Sequence, residues 1–322
     1  MTNLLDPSIL FFVFGAFAGL VKSNLEIPPQ VSRFLSLYLL MALGLKGGFA
    51  LAKSGFTFTV ASGLGAAVLL AIIVPLIGYV LLRRVIPPFD AVALAATYGS
   101  VSAVTYITAV QHLDNVAIPY GGHMSAAMAL MESPAIVIAV VLANLHRRRA
   151  AGAAAGTMEP LRLGKVLHES FTDGAQLLLL GAMMVGLITG ERGKAVMQPF
   201  SVDLFKGMLA FFLLDMGLLA ARNFKEVLGK SWWVLAYAVV GPLAHASLAL
   251  ALAAVLGLSV GDGALLMTLA ASASYIAVPA VLRFAIPEAS PSLYFGLSLG
   301  LTFPLNIVLG IPFYAKIASL VL

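Results

Sequence analysis

The chain has 322 residues, of which 61% are hydrophobic and 10% charged, with a mean hydropathy of +1.01 and a formal charge of +5. A soluble domain is nearer a quarter charged, so this balance excludes one and points to an integral membrane protein. There is no cysteine, which excludes disulfide and thiol chemistry.

Long apolar runs predict ten membrane spans, near residues 4–21, 31–52, 57–82, 90–111, 121–145, 173–190, 202–221, 231–257, 262–283 and 290–320. The expected fold is therefore all-α, not a β-barrel, whose strands alternate strictly over about ten residues. The opening MTNLLDP lacks a basic start and a cleavage site, so the first run is expected to stay as a helix. After the fifth span comes a polar segment, 146–168, opening HRRRAAGAAAGT. It is read as a linker between an N-terminal unit, 1–145, and a C-terminal unit, 169–322. Arg147, Arg148 and Arg149 in it read as a topology signal and a lipid-headgroup contact.

The two units repeat one another. LLMALGL (39–45) resembles FLLDMGL (212–218), which aligns Gly44 with Gly217. IVPL (73–76) resembles VGPL (240–243), and AIP recurs at 117–119 and 285–287. DAVALAATYGSVSAV (90–104) resembles DGALLMTLAASASYI (262–276), aligning Ser100 and Ser102 with Ser272 and Ser274; Pro134 aligns with Pro304. All these matches lie at offsets of 167 to 173 residues. Five spans per unit is odd, so the second unit must enter from the opposite side, as an inverted repeat. With both termini outside, 13 of the 19 Lys and Arg fall on the cytoplasmic side, as the positive-inside rule requires.

Spans four and nine then run antiparallel and can meet at mid-membrane. Both carry hydroxyls at matching places: Ser100, Ser102 and Thr105 in one, Ser272 and Ser274 in the other. Pro279 lacks an N–H and clashes with the carbonyl of Tyr275, so span nine is expected to break there. Freed amides at the start of a half-helix suit an anion, and freed carbonyls suit a cation. The bland reading is that these serines only pack helices. Glu132 lies mid-span beside Pro134, which is expected to disturb span five. Asp215 lies in FLLDMGLLA. An intramembrane acid is costly and points to a role, although a protonated, hydrogen-bonded acid would also fit Glu132. For Asp215 the other reading is a groove or a second subunit. His245 reads as a hydrogen-bonded structural histidine, and His123 as interfacial. Asn306 follows Pro304 and is placed to bond carbonyls freed by it. HExxH, CxxC, GxSxG and P-loop patterns are absent, so an enzyme is not expected.

Several stretches resemble the sodium-dependent bicarbonate transporter family of cyanobacteria and its wider bacterial relatives. They are LGLKGGFAL (43–51), GSVSAVT (99–105), IPYGGHMSAAMALMESPAIVIAVVLAN (118–144), PLAH (242–245) and AASASYIAVPAVLRFAIPEASPSLYFGLSLGLTFPLNIVLGIP (270–312). The resemblance implies two inverted five-helix repeats. It implies a gate domain of spans 1, 2, 6 and 7, and a core domain of spans 3–5 and 8–10 with broken helices four and nine. It further implies a homotrimer, a PII-like cytoplasmic regulator and a bacterial inner-membrane location. On this reading a small anion, bicarbonate-like or a small carboxylate, is expected among Gly99, Ser100, Ser102, Ala103, Thr105, Ser272, Ala273, Ser274 and Tyr275. A coupling cation, sodium by resemblance, is expected at Glu132, Ser102, Ser274 and Asn306. Tyr275 stands where those transporters carry an acid, so the site has less oxygen and more bulk. A membrane sensor that binds the anion without moving it is the other function the sequence allows.

Overall fold

A computed structural model describes residues 6–151 and 174–322. Residues 152–168 of the expected linker, and the first residues of expected spans one and six, lie outside it. Among the described residues every regular element is helical. In chain order these are α1 (Pro7–Leu20), α2 (Pro29–Ser54), α3 (Phe58–Leu82), α4 (Pro88–Gly99), α5 (Ala103–Asn115) and α6 (His123–Ala151). Then follow α7 (Gly174–Gln198), α8 (Phe205–Asn223), α9 (Trp232–Leu256), α10 (Val260–Ala271) and α11 (Ala277–Ala285). A helical rod, α12, covers Pro291–Val321. Seven helical stretches among the described residues are long and apolar enough to cross a membrane, one of them, Pro88–Asn115, taking in both α4 and α5. α1 and α10 are shorter apolar helices.

Local chemistry sets the ends. Proline opens α1, α2, α4 and α12, where a missing N–H costs nothing. The Asp6 carboxylate accepts the Ser8 amide at 2.8 Å, and the Thr57 hydroxyl accepts the Val60 amide at 3.3 Å. Gly190 turns α7 with φ of +52°, a conformation that side chains with a Cβ rarely adopt.

Two expectations about proline need correction. Pro134 does not interrupt the fifth span, because α6 runs through it unbroken. Span nine does break around Tyr275, at 272–276, but Pro279 is not the cause: it lies beyond the break in the first turn of α11, where it leaves no helical bond unmade. Pro304 is accommodated differently, between two π-helical stretches, Ser298–Thr302 and Asn306–Gly310.

The heaviest packing pairs α1 with α8 and α2 with α7. Small residues permit it. A Cβ on Gly15 would lie 2.2 Å from the Leu214 carbonyl oxygen, and one on Gly217 would lie 2.1 Å from that of Phe12. Gly48 and Gly186 bring α2 and α7 equally close, against Met183 and Leu45 carbonyls. The remaining helices surround α4 and α10, in which Ala91–Gly99 and Gly261–Ala271 are buried on every side.

Polar groups close both ends of the bundle. At one end the Asp114 carboxylate meets the Lys46 ammonium at 3.4 Å and accepts the Tyr120 hydroxyl at 3.0 Å. Beside it, Asn115 donates to Asp6 at 2.7 Å and accepts from Gln111 and Lys206. These bonds tie the end of α5 to α1, α2 and α8. At the other end Arg147 makes a two-pronged contact to Glu288, both bonds at 2.7 Å, and donates to the Ala285 carbonyl. One member of the arginine run thus has a fixed protein partner, joining α6 to the end of α11.

Candidate functional site

α4 ends at Gly99 and α5 begins at Ala103; α10 ends at Ala271 and α11 begins at Ala277. The two interruptions lie against each other. The Ser102 amide donates to the Ser272 hydroxyl oxygen at 3.0 Å, and the Ser274 amide donates to the Thr97 carbonyl at 2.8 Å. Each break therefore satisfies a backbone amide of the other. Such amides are costly to leave unpaired away from water.

Serine, not proline, makes these breaks tolerable. The Ser102 hydroxyl oxygen caps α5, accepting the Thr105 amide at 3.2 Å and the Thr105 hydroxyl at 3.0 Å. The Ser274 hydroxyl oxygen accepts the Val278 amide at 3.3 Å in the first turn of α11. The Ser272 hydroxyl donates to the Leu269 carbonyl at the end of α10, 2.8 Å away. Ser100 donates to the Glu132 carbonyl at 3.2 Å, joining the break to α6.

The structure brings Ser100, Ser102, Thr105, Ser272, Ala273, Ser274 and Tyr275 together in a buried group, with Gly99 at its edge and Ala103 partly buried. Gly99 is needed for packing: a Cβ there would fall 2.4 Å from the ring of Pro75. Tyr275 fills the space between the breaks and α8. Its ring packs edge-on against Phe303 with centroids 5.1 Å apart. Its hydroxyl donates to the Met216 sulfur at 3.7 Å and lies in interaction range of Ser102. An anion-sized space among the serines would have to be opened at the expense of this ring.

The expected cation residues are more dispersed. Glu132 is half-buried, and its Oε2 accepts the Gln176 amide at 2.7 Å. Gln176 belongs to α7 and also donates to the Ala129 carbonyl at 3.4 Å. Sequence reasoning missed this residue; its one signal was a lone amide in GAQLLLL. Asn306 faces the end of α10, donating to the Ala271 carbonyl at 2.8 Å, and accepts the Tyr314 hydroxyl at 2.9 Å. His245 of α9 lies within interaction range of the neighbouring Ala270 carbonyl, and its Nδ1 is buried without a hydrogen-bond partner. The freed Ala271 carbonyl is thus held by a side chain from α12.

Asn306→Ala should therefore destabilise the fold strongly. It leaves the Ala271 carbonyl and the Tyr314 hydroxyl unpaired, at about 1–3 kcal/mol for each buried group. Thermal unfolding in detergent measures this; a melting temperature equal to wild type would show that Asn306 does not support the break.

Interrupted helices that meet inside an all-helical membrane bundle are the construction of secondary transporters. The chain belongs to the Na+-dependent bicarbonate transporter superfamily, whose sequence profile matches residues 7–319, nearly the whole chain. The resemblance read from the sequence is thereby confirmed. A search of curated proteins finds no match. The protein is thus a multi-pass membrane protein of a transporter family, and its family is Na+-dependent.

Proposed function

We propose that the protein is a secondary transporter of a small anion, bicarbonate or a small carboxylate, driven by a coupling cation. The observation that carries this reading is the mutual hydrogen bonding of the two broken helices, Ser102 to Ser272 and Ser274 to Thr97. It places two half-helix N-termini and four serines at one buried point. Amides at the starts of α5 and α11 offer the partial positive charge an anion needs. Ser102 and Ser274 hold the anion through their hydroxyls once Tyr275 has moved aside. Sodium is the cation the family favours, with Glu132 as its carboxylate and Ser102 and Ser274 as further oxygens. Asn306 serves the site by holding the end of α10.

In this proposal the ten spans form two inverted five-helix repeats, with both termini outside a bacterial inner membrane. α1, α2, α7 and α8 form a gate, and the other helices form a core that moves against it. The pairing of α1 with α8 and α2 with α7 supports that division. A movement of this kind would have to break the bonds from Gln176 of α7 to Glu132 and to the Ala129 carbonyl of α6. The arrangement described above is then closed, with its outer end held by Asp114 and Asn115. A homotrimer and a PII-like regulator complete the proposal and rest on the family resemblance alone.

A thermal-shift screen of bicarbonate, formate and acetate, each with and without sodium at equal ionic strength, tests the ligand. The productive anion should raise the melting temperature when sodium is present. At one hundred times Kd the gain is about 2.7 kcal/mol. Counterflow of the labelled anion in proteoliposomes then tests transport. Binding without exchange would replace the transporter by the sensor.

A further inference from the structure

Asp215 takes no part in the site just described, and its surroundings are unusual. It lies halfway along α8, flanked by Leu214 and Met216, and is 5% exposed. Its Oδ2 is buried without a hydrogen-bond partner. The groups around it can be named element by element. α1, packed along α8, carries no titratable side chain. From α2, Ser32 lies within interaction range of the carboxyl. From α8 itself, Arg222 lies two turns further on and acts on the carboxyl at a distance. From the break in span nine, Tyr275 is within electrostatic reach, and its hydroxyl bonds the adjacent Met216. The part of α12 against α8, SLGLT and FPL, has no titratable group.

We propose that Asp215 is a proton-binding site that is loaded and emptied as the core moves against the gate. The proposal rests on the core-and-gate reading for its cycle, but the site is defined by its own geometry. Among the described residues no group of three His, Asp or Glu could hold a metal. A proton needs only the unpartnered oxygen. With Tyr275 packed in place, Asp215 is shut off from water and carries the proton as a neutral acid. When the core withdraws, Tyr275 leaves with it, water reaches α8, and the proton departs. The charge left behind then faces Arg222. Proton release is in this way tied to the same tyrosine that fills the anion site.

The test is labelling of the purified full-length protein with dicyclohexylcarbodiimide, which modifies protonated carboxyls in apolar surroundings, followed by peptide mapping. The adduct should map to Asp215 and fall about tenfold per pH unit once the pH exceeds the pKa of the group. It should be absent in Asp215→Asn and remain on Asp215 in Glu132→Gln. Wild-type mapping decides the matter even if a variant folds poorly. Absence of an adduct at Asp215, or one independent of pH, overturns the proposal. Anion counterflow by the same preparation separates the two readings. Labelling without exchange removes the transporter and keeps the proton site; exchange without labelling does the reverse.

Discussion

Leucine at both Ser102 and Ser274 is expected to abolish anion uptake in proteoliposomes while the protein still inserts and folds. Both side chains are nearly fully buried, at 4% and 2% exposure. Each substitution removes a helix cap, at about 1 kcal/mol. Each also adds bulk to a packed interior, at about 1–3 kcal/mol. Much of that cost falls on the opened, anion-bound arrangement, which needs the space the leucines take. A loss of roughly 3 kcal/mol there lowers anion affinity about a hundredfold, because every 1.4 kcal/mol is tenfold. Alanine at the same positions removes the hydroxyls without the bulk, and should leave a measurable remnant. Uptake equal to wild type in a folded double-leucine protein would remove the crossover as the anion site.

The largest effect on folding is expected from Gly217→Val. Its Cβ would lie 2.1 Å from the Phe12 carbonyl oxygen, and its neighbours on that face are the backbones of α1 residues 12 and 16. Backbone cannot retreat as a flexible side chain can, so α1 and α8 must separate along their whole contact. Helix association in lipid depends on such close approach, since there is no hydrophobic drive between helices. The expected loss exceeds about 3 kcal/mol, enough to prevent accumulation of folded protein. Gly207→Ala is the control on the same helix. Nothing lies within 4 Å of its added Cβ, so it should be neutral or stabilise slightly. Fluorescence-detected gel filtration of the two variants separates these outcomes; a monodisperse, stable Gly217→Val protein would show that the α1–α8 contact is dispensable.

Much of the architecture was legible because lipid imposes simple demands. Apolar length located the helices, and the family resemblance pointed to breaks in spans four and nine. Proline does not account for the breaks: span four breaks at Ser100–Ser102 with no proline at all, and α6 passes Pro134 intact. Proline removes one donor, whereas a break in lipid needs partners for several groups, and here the serine hydroxyls supply them. Contacts between distant segments were not readable. Gln176 meets Glu132 across 44 residues, and His245 meets Ala270 across a helical hairpin. Neither spacing has a local period. Tyr275 was visible as a substitution in the family pattern, but only packing revealed that it touches Met216 and Phe303 together.

The two breaks are each other's repair, which limits how the protein can change. A mutation in either half that moves Ser102 or Ser274 strands an amide or a carbonyl in the other half. Neither segment can drift alone, and the pair must travel as one rigid block. Novelty is then confined to neighbours that hold none of these bonds, Ala103, Ala273 and Tyr275. In the transporter proposed above, cargo preference is then open to change at those three positions while the lock between the halves stays untouched.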